Sequence, residues 1–223
     1  MIIITGASGF LGAGLVQLLH KYNINEEIVG VTRNLGCNGT AQFELHQITD
    51  YREAGWLSRI SKDVSTIIHC AGLAHVTKMD INSSKQFEEF KDANTQCTLD
   101  LARQAAKAGV KRFIFISTIG VNGDETNIGK PFNPHDAPNP KDLYSLSKFW
   151  AEKGLKLISR ETDLDVIIIR PPLIYGPGVK GNFKSLLWLL SLNIPLPFAN
   201  IKNLRSFVAL ENLAKLVELC IRY

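Results

Sequence analysis

The chain has 223 residues, 45% of them hydrophobic, and a formal net charge of +4, which fits a globular protein with a sizeable buried core. Its basic residues form no run, so nothing indicates nucleic-acid binding. No basic segment precedes the short apolar N-terminal run and no later apolar stretch is long enough to span a bilayer, so we expect neither a signal peptide nor a membrane segment.

The first predicted element is a strand, turn and helix at the N-terminus. Residues 2–4 are three isoleucines, which predict a buried strand, and apolar residues at helical spacing begin at Leu11. Between them Gly6, Gly9 and Gly12 form a G-x-x-G-x-x-G pattern. A glycine turn that leads into a helix N-terminus can bind a pyrophosphate. An ordinary structural turn is the alternative, and the flanking strand and helix favour the pyrophosphate site.

The rest of the chain alternates apolar strands with helices. These strands lack apolar–polar alternation, which indicates a parallel sheet covered on both faces and predicts a doubly wound α/β (Rossmann) fold. The ligand crevice of such a sheet lies at the carboxyl ends of its strands. The further predicted strands cover residues 27–32, 42–48, 65–70, 112–117 and 165–170, and the predicted helices cover 51–60, 84–108 and 143–159. The residues at the carboxyl ends are Gly6, Thr32, Ala71, Ser117 and Arg170.

The cofactor preference depends on the residue about 20 positions after the glycines. An acidic side chain there would bind the ribose 2′-hydroxyl of NAD, but Thr32 stands at this position and Arg33 follows it. The Arg33 guanidinium suits a 2′-phosphate, whereas a solvated loop arginine is the alternative. The missing carboxylate favours NADP(H), with NAD(H) as the other candidate cofactor.

The second chemical pattern is Tyr144-Ser145-Leu146-Ser147-Lys148, at the start of a predicted helix. A spacing of four places Tyr144 and Lys148 on one helix face, where the ammonium is expected to lower the pKa of the phenol and suit it to proton transfer. Most Tyr-x-x-x-Lys pairs are surface residues, but this one lies between two predicted strands. Ser117 and Thr118 end the preceding strand, where a hydroxyl can orient the reacting oxygen. The four cysteines are scattered, which favours reduced thiols in a cytoplasmic protein and predicts no metal site.

Together these motifs resemble the short-chain dehydrogenase/reductase superfamily, and in detail its extended nucleotide-sugar epimerase/dehydratase branch. The resemblance covers nearly the whole chain. Residues 74–76, 117–123 and 178–183 are most similar to bacterial UDP-N-acetylhexosamine 4-epimerases and 4-keto reductases of surface-polysaccharide synthesis. The segments that carry the branch resemblance are residues 9–12, 69–72, 94, 98–99, 110–118, 170–178, 205–208 and 213–214.

The resemblance implies roles for the matching residues. Tyr144 is implied as the catalytic acid/base, Lys148 as its partner and a ligand of the nicotinamide ribose, and Thr118 as the catalytic hydroxyl. Thr118, Asn182 and Arg205 are candidate substrate ligands, with Arg205 on the diphosphate. The candidate cofactor-binding residues are Gly6, Gly9, Phe10, Leu11, Gly12, Arg33, Ala71, Gly72, Asn94, Ser117 and Lys148. One departure is Gln47, which stands where the family usually has an aspartate on the adenine.

Family members usually continue well beyond this length, so the chain resembles a C-terminally truncated form. We expect an NAD(P)-binding domain over residues 1–170 and the start of a smaller substrate domain over 171–223, in which 186–192 is either a core helix or an exposed surface. The implied function is NADP(H)-dependent reduction of a UDP-4-keto-6-deoxy-N-acetylhexosamine, with Tyr144 as proton donor. A UDP-sugar 4-epimerase with tightly bound NAD and a non-catalytic dinucleotide-binding fragment are the alternatives. The expected partners are a UDP-sugar and a second copy in a homodimer, with no nucleic acid and no membrane.

Overall fold

The computed structural model describes residues 1–22, 24–33, 45–74, 83–127, 129–179, 182–192 and 204–223, without the side chain of Asn182. A six-stranded sheet forms the centre of this described part, with the strand order β3-β2-β1-β4-β5-β6. All of its strand pairs are parallel. The strands are β1 (Ile2–Thr5), β2 (Ile28–Thr32), β3 (Leu45–Gln47), β4 (Thr66–His69), β5 (Arg112–Ile116) and β6 (Asp165–Ile169). The order reverses direction between β1 and β4, as in doubly wound dinucleotide-binding folds, and the predicted fold class is confirmed.

Helices connect the strands, and a second, two-stranded parallel sheet follows the first. The helices are α1 (Phe10–Lys21), α2 (Trp56–Ile60), α3 (Ser84–Phe90), α4 (Cys97–Lys107), α5 (Leu143–Glu161), α6 (Asn182–Ser191) and α7 (Leu210–Arg222). The small sheet pairs β7 (Leu173–Tyr175) with β8 (Phe207–Ala209). None of the helices in the described residues is long and apolar enough to cross a membrane.

The apolar strands are explained by hydrophobic packing on both faces of the main sheet. In β1, Ile3 packs into the cluster on one face, whereas Ile2 and Ile4 pack into the cluster on the other. All three side chains are fully buried. A strand that contributes to two cores has no polar face, which is why the sequence shows no alternation.

Two predicted helices and one predicted strand differ from the structure. The helix predicted over 51–60 begins only at Trp56, because Gly55 adopts the left-handed conformation with φ of 79° and ends a turn there. The helix predicted over 84–108 is divided by the π-helical segment Lys91–Gln96 between α3 and α4. The strand predicted over 42–48 is observed as β3, and residues 42–44 lie outside the described residues.

The elements after residue 170 divide between the two sheets. Helix α7 buries Leu213 and Val217 in the hydrophobic cluster that also contains β1 and α1, so it packs on the main sheet. Helix α6 exposes 47% of Leu187 and 63% of Trp188. Of the two alternatives for segment 186–192, a core helix or an exposed surface, the structure shows the exposed surface. The division into regions 1–170 and 171–223 stays a prediction.

Candidate active site

The turn after β1 brings three backbone segments into close contact. Gly6 has a φ of 69°, and a Cβ added to it would lie 2.7 Å from the Ala71 nitrogen. A Cβ on Gly12 would lie 2.3 Å from the Gly6 oxygen. Gly9 caps α1 without a side-chain hydrogen bond, so the first N–H groups of the helix have no capping side chain. Gly6, Gly9 and Gly12 therefore form a closely packed backbone turn at a helix N-terminus, here called the glycine cradle, which suits the pyrophosphate of a dinucleotide.

The Tyr144 and Lys148 pair lies where β5 ends and α5 begins. Asp142 accepts a hydrogen bond from the Ser145 N–H at 2.7 Å and so begins α5. Lys148 is only 3% exposed, and its Nζ donates to the Ile116 carbonyl at 3.0 Å. This bond fixes α5 to the end of β5.

Thr118 is held against the same helix turn. Its hydroxyl accepts a hydrogen bond from the Gly120 N–H at 3.2 Å and begins a short 3-10 turn over Ile119–Val121. A Cβ added to Gly120 would lie 2.3 Å from the Ser145 hydroxyl, so the turn packs directly on the residue after Tyr144. The structure therefore places Thr118 against the first turns of α5, the helix that carries Tyr144 and Lys148. The catalytic roles of the three side chains stay predictions.

The electrostatics of this pair differ from the sequence prediction. Burial raises the pKa of Tyr144 to about 12, and the nearby Asp142 carboxylate contributes. Burial lowers the pKa of Lys148 to about 8. The expected lowering of the phenol pKa by Lys148 is thus wrong for the protein without ligand, because desolvation of the phenol outweighs any attraction to the ammonium. The Tyr144 phenol is therefore neutral at neutral pH in this state.

Asn94 supports the segment that follows β4. Its side-chain nitrogen donates to the Leu73 carbonyl and to the Ser147 hydroxyl, both at 2.9 Å, and its Oδ1 accepts from the Leu73 N–H at 2.6 Å. A Cβ on Gly72 would lie 3.0 Å from Asn94 Oδ1 and 3.4 Å from Lys148 Nζ. The π-helical segment carries Asn94, and such segments are frequent at functional sites. The Asn94 amide is thus engaged within the protein, where it fixes Leu73, the residue after Gly72, to α5.

His69 forms a buried hydrogen-bonded chain that the sequence reasoning missed. Its Nδ1 lies 2.7 Å from the Thr5 hydroxyl and its Nε2 lies 3.0 Å from the Thr98 hydroxyl. Thr98 donates its only hydroxyl proton to the Asn94 carbonyl at 2.7 Å, so Nε2 must donate to Thr98 and Nδ1 must accept from Thr5. The chain connects the end of β1, just before the glycines, with the residue that supports Gly72.

Acid is expected to destabilise the protein through His69. Burial, with a contribution from the Lys148 charge, lowers the pKa of His69 to about 3, so only the unfolded state binds a proton here between about pH 6.5 and pH 3. The free energy of unfolding should therefore fall by up to about 1.4 kcal/mol for each pH unit below 6.5. Urea unfolding at pH 7.5, 6.0 and 5.0 measures this slope. The slope should be shallower in His69→Gln and unchanged in His20→Gln, at an exposed position on α1. Equal slopes in His69→Gln and wild type would contradict the assignment.

Glu152 and Arg170 form a buried ion pair close to Lys148. Glu152, one helical turn further along α5, is 1% exposed and accepts from Arg170 Nε at 2.9 Å and from the Ser117 hydroxyl at 2.5 Å. Arg170 also donates to Asn122 Oδ1 at 2.9 Å. This cluster joins the ends of β5 and β6 to α5. Because the Ser117 hydroxyl is committed to Glu152, Thr118 is the better candidate for the hydroxyl that orients the reacting oxygen, which is the role that the resemblance implies for it.

The remaining predicted residues include two exposed arginines. Arg33 is exposed, its carbonyl accepts from Gln47 Nε2 at 3.2 Å, and its guanidinium lies 5.9 Å from the centre of the Tyr51 ring. Arg205 is exposed just before β8, and Asn182 begins α6. Among the described residues, no hydrogen bond or ion pair joins Arg33 or Arg205 to the Tyr144 region. Their predicted roles and those of Asn182, Phe10 and Leu11 stay predictions.

The doubly wound sheet, the glycine cradle and the Tyr-x-x-x-Lys helix define a class of dinucleotide-binding α/β proteins. The chain belongs to the NAD dependent epimerase/dehydratase family, whose sequence model matches residues 2–222. The resemblance recognised from the motifs is thereby confirmed. This family assignment also agrees with the expected NAD(P)-dependent enzyme.

Individual relatives agree with the family. A UDP-glucose 4-epimerase of Vibrio cholerae is 40% identical over 225 residues, which are 99% of this chain and 66% of that protein. A dTDP-D-glucose 4,6-dehydratase of Dictyostelium discoideum is 31% identical over 79% of this chain and 44% of that protein. The solved structure of MoeE5 in complex with UDP-glucuronic acid and NAD has a TM-score of 0.78 and 26% identity, over 98% of this chain and 71% of that chain. The chain thus spans about two thirds or less of the length of these curated relatives.

Proposed function

We propose that the protein transfers a hydride at C4 of a UDP-hexose and acts as a UDP-sugar 4-epimerase with bound NAD. The observation that carries this proposal is that the helix carrying Tyr144 and Lys148 packs on the turn of Thr118, with Lys148 Nζ beside Gly72. The 40% identity to a UDP-glucose 4-epimerase and the NAD and UDP-sugar bound by MoeE5 support it. The complete set of three side chains argues against a non-catalytic dinucleotide-binding protein.

The side chains divide the chemistry between them. A bound nicotinamide would accept the C4 hydride and return it, and its positive charge would favour the Tyr144 phenolate that burial alone disfavours. Tyr144 takes the proton of the 4-hydroxyl and later returns a proton to the 4-keto oxygen, while the Thr118 hydroxyl orients that oxygen. Lys148, with one of its three N–H donors on Ile116, holds the nicotinamide ribose with the others. We assign the substrate diphosphate to Arg205 and a further substrate contact to Asn182.

The second candidate is an NADPH-dependent reductase of a UDP-4-keto sugar. Two observations favour it: Arg33 is exposed at the end of β2 where the NAD-binding carboxylate is missing, and Tyr144 is already a neutral proton donor. In this reaction one hydride and one proton are consumed for each sugar. The same three side chains serve both reactions, so their presence does not discriminate.

Incubation of the purified protein with UDP-glucose, UDP-N-acetylglucosamine and UDP-4-keto-6-deoxy-N-acetylhexosamine, each with and without NADPH, tests the two candidates. An epimerase interconverts the 4-epimers of a UDP-hexose without added cofactor and without net NADPH consumption. A reductase consumes one NADPH for each 4-keto sugar. Protein that binds a dinucleotide but converts none of these sugars under either condition would contradict both candidates.

Cofactor preference gives a separate prediction at Arg33. If its guanidinium binds a 2′-phosphate, wild type should bind NADPH more tightly than NADH, and Arg33→Ala should weaken NADPH binding alone by roughly 1–3 kcal/mol. Fluorescence titration with both cofactors measures the two affinities. The exposed Arg103 on α4 offers a control, since Arg103→Ala removes the same charge from another surface. Equal affinity of wild type for NADH and NADPH would show that Arg33 does not bind the 2′-phosphate and would leave NAD as the cofactor.

A further inference from the structure

Tyr51 forms a hydrogen-bonded link that lies directly under the glycine turn. Its side chain is 2% exposed, and its hydroxyl oxygen accepts from the Gly6 N–H at 3.0 Å. The same hydroxyl donates to the Val31 carbonyl at 3.2 Å. Val31 also accepts from the Ala7 N–H at 3.2 Å. The first two residues of the turn are therefore both fixed to the end of β2, one of them through Tyr51.

The position of Tyr51 is itself determined from both sides. Its main-chain carbonyl accepts from Trp56 Nε1 at 2.9 Å and from Gln104 Nε2 at 3.1 Å. Its ring makes edge contacts with Trp56 and His69 at centroid distances of 6.0 and 6.1 Å. Burial raises the pKa of Tyr51 to about 12, so its hydroxyl keeps the proton that it donates to Val31 at neutral pH. A phenylalanine would fill the same space in this core but could not bind Gly6.

We propose that Tyr51 is a positioning residue for the dinucleotide, which acts by holding Gly6 in the left-handed conformation that opens the turn to a pyrophosphate. This inference rests on the proposed dinucleotide site. Gly6 has little intrinsic preference between positive and negative φ, so the glycine that permits the turn does not by itself fix it. The Tyr51 hydroxyl supplies the missing constraint, and a turn held in its binding conformation before the ligand arrives loses less entropy on binding.

The ring of Tyr51 serves a separate contact, which makes the hydroxyl testable alone. The Arg33 guanidinium lies 5.9 Å from the ring centre, within the range of a cation–π contact. Tyr51→Phe keeps the ring beside Arg33 and removes only the hydroxyl, with its hydrogen bonds to Gly6 and Val31. The variant should therefore change affinity for NADH and NADPH by the same factor and leave the preference between them unchanged.

Titration of wild type, Tyr51→Phe and Tyr22→Phe with NADH, NADPH and UDP tests the proposal. Tyr51→Phe should bind both dinucleotides about 5- to 20-fold more weakly, in line with the loss of the hydrogen bond that holds Gly6, and should bind UDP as wild type does. Tyr22→Phe is the matched control, since its hydroxyl donates to the Glu211 carbonyl at 3.3 Å at the far end of α1. In the absence of ligand, the peptide that contains Gly6 and Ala7 should exchange its amide hydrogens faster in Tyr51→Phe than in wild type. The exchange of α7 should be the same in both proteins.

The outcomes separate this inference from the proposed function. Unchanged dinucleotide affinity in folded Tyr51→Phe would overturn the positioning role, even if the melting temperature fell. Wild type that binds no dinucleotide would overturn the proposed function. In that case faster hydrogen exchange at Gly6 in Tyr51→Phe would still show that the Tyr51 hydroxyl stabilises the turn. Unchanged exchange would overturn this stabilising role as well.

Discussion

Replacing Tyr144 by phenylalanine is expected to slow turnover by a factor on the order of 10²–10⁴, the usual contribution of a positioned proton donor or acceptor. The change removes one hydroxyl that makes no hydrogen bond within the described residues, so the fold and the dinucleotide affinity should survive. The measurements are the single-turnover rate, the dinucleotide affinity and the melting temperature. Tyr223→Phe, at a position that is 89% exposed, is the control for loss of a phenol elsewhere.

Two companion variants separate a catalytic set from a buried polar cluster. Lys148→Met should slow turnover and also weaken dinucleotide binding, because in the proposed mechanism one ammonium serves both the phenolate and the ribose. Thr118→Val should slow turnover with little change in dinucleotide affinity. If the three side chains were only a structural cluster, each variant would lose activity only in proportion to its loss of melting temperature. Near-wild-type turnover in Tyr144→Phe would show that Tyr144 is a structural tyrosine.

Removing the Arg170 side chain is expected to have the largest effect on stability. Arg170→Met leaves the Glu152 carboxylate, 2% exposed, without its charged partner, and loss of one member of a buried ion pair costs about 3–5 kcal/mol. Urea unfolding of the ligand-free protein measures the loss. Because Ser117 and Asn122 belong to the same cluster, the variant should also disturb the strand end that carries Thr118 and slow turnover.

Two controls accompany Arg170→Met. The Arg59–Glu53 pair has an N–O distance of 2.7 Å, close to the 2.9 Å between Arg170 Nε and Glu152. Its side chains are 60% exposed for Arg59 and 40% exposed for Glu53, so Arg59→Met should change stability by no more than about 1 kcal/mol. The double variant Arg170→Met with Glu152→Leu should recover most of the lost stability, since the Glu152 carboxylate is then no longer buried without its charged partner. A loss below about 1 kcal/mol in Arg170→Met would show that Glu152 is solvated and that the ion pair does not hold the site.

The fold and part of the site could be predicted because they depend on local patterns. Uninterrupted apolar strands separated by helices predicted the parallel sheet, since such strands must be covered on both faces. The glycines between β1 and α1 and the spacing of four between Tyr144 and Lys148 lie within single short segments. Position at strand ends predicted that Thr118 would meet them, because the carboxyl ends of parallel strands share one edge of the sheet.

Tertiary structure alone decided which buried polar groups support that site. Tyr51 binds Gly6 across 45 residues of sequence and His69 binds Thr5 across 64, and neither pairing has a sequence spacing that distinguishes it from many others. The pKa of Tyr144 was mispredicted for a related reason. Sequence spacing places Lys148 nearby, but burial sets the desolvation of the phenol, and burial depends on how α5 packs on the sheet. Contacts within one turn of helix follow from covalent geometry, whereas partners and dielectric surroundings exist only once the chain has packed.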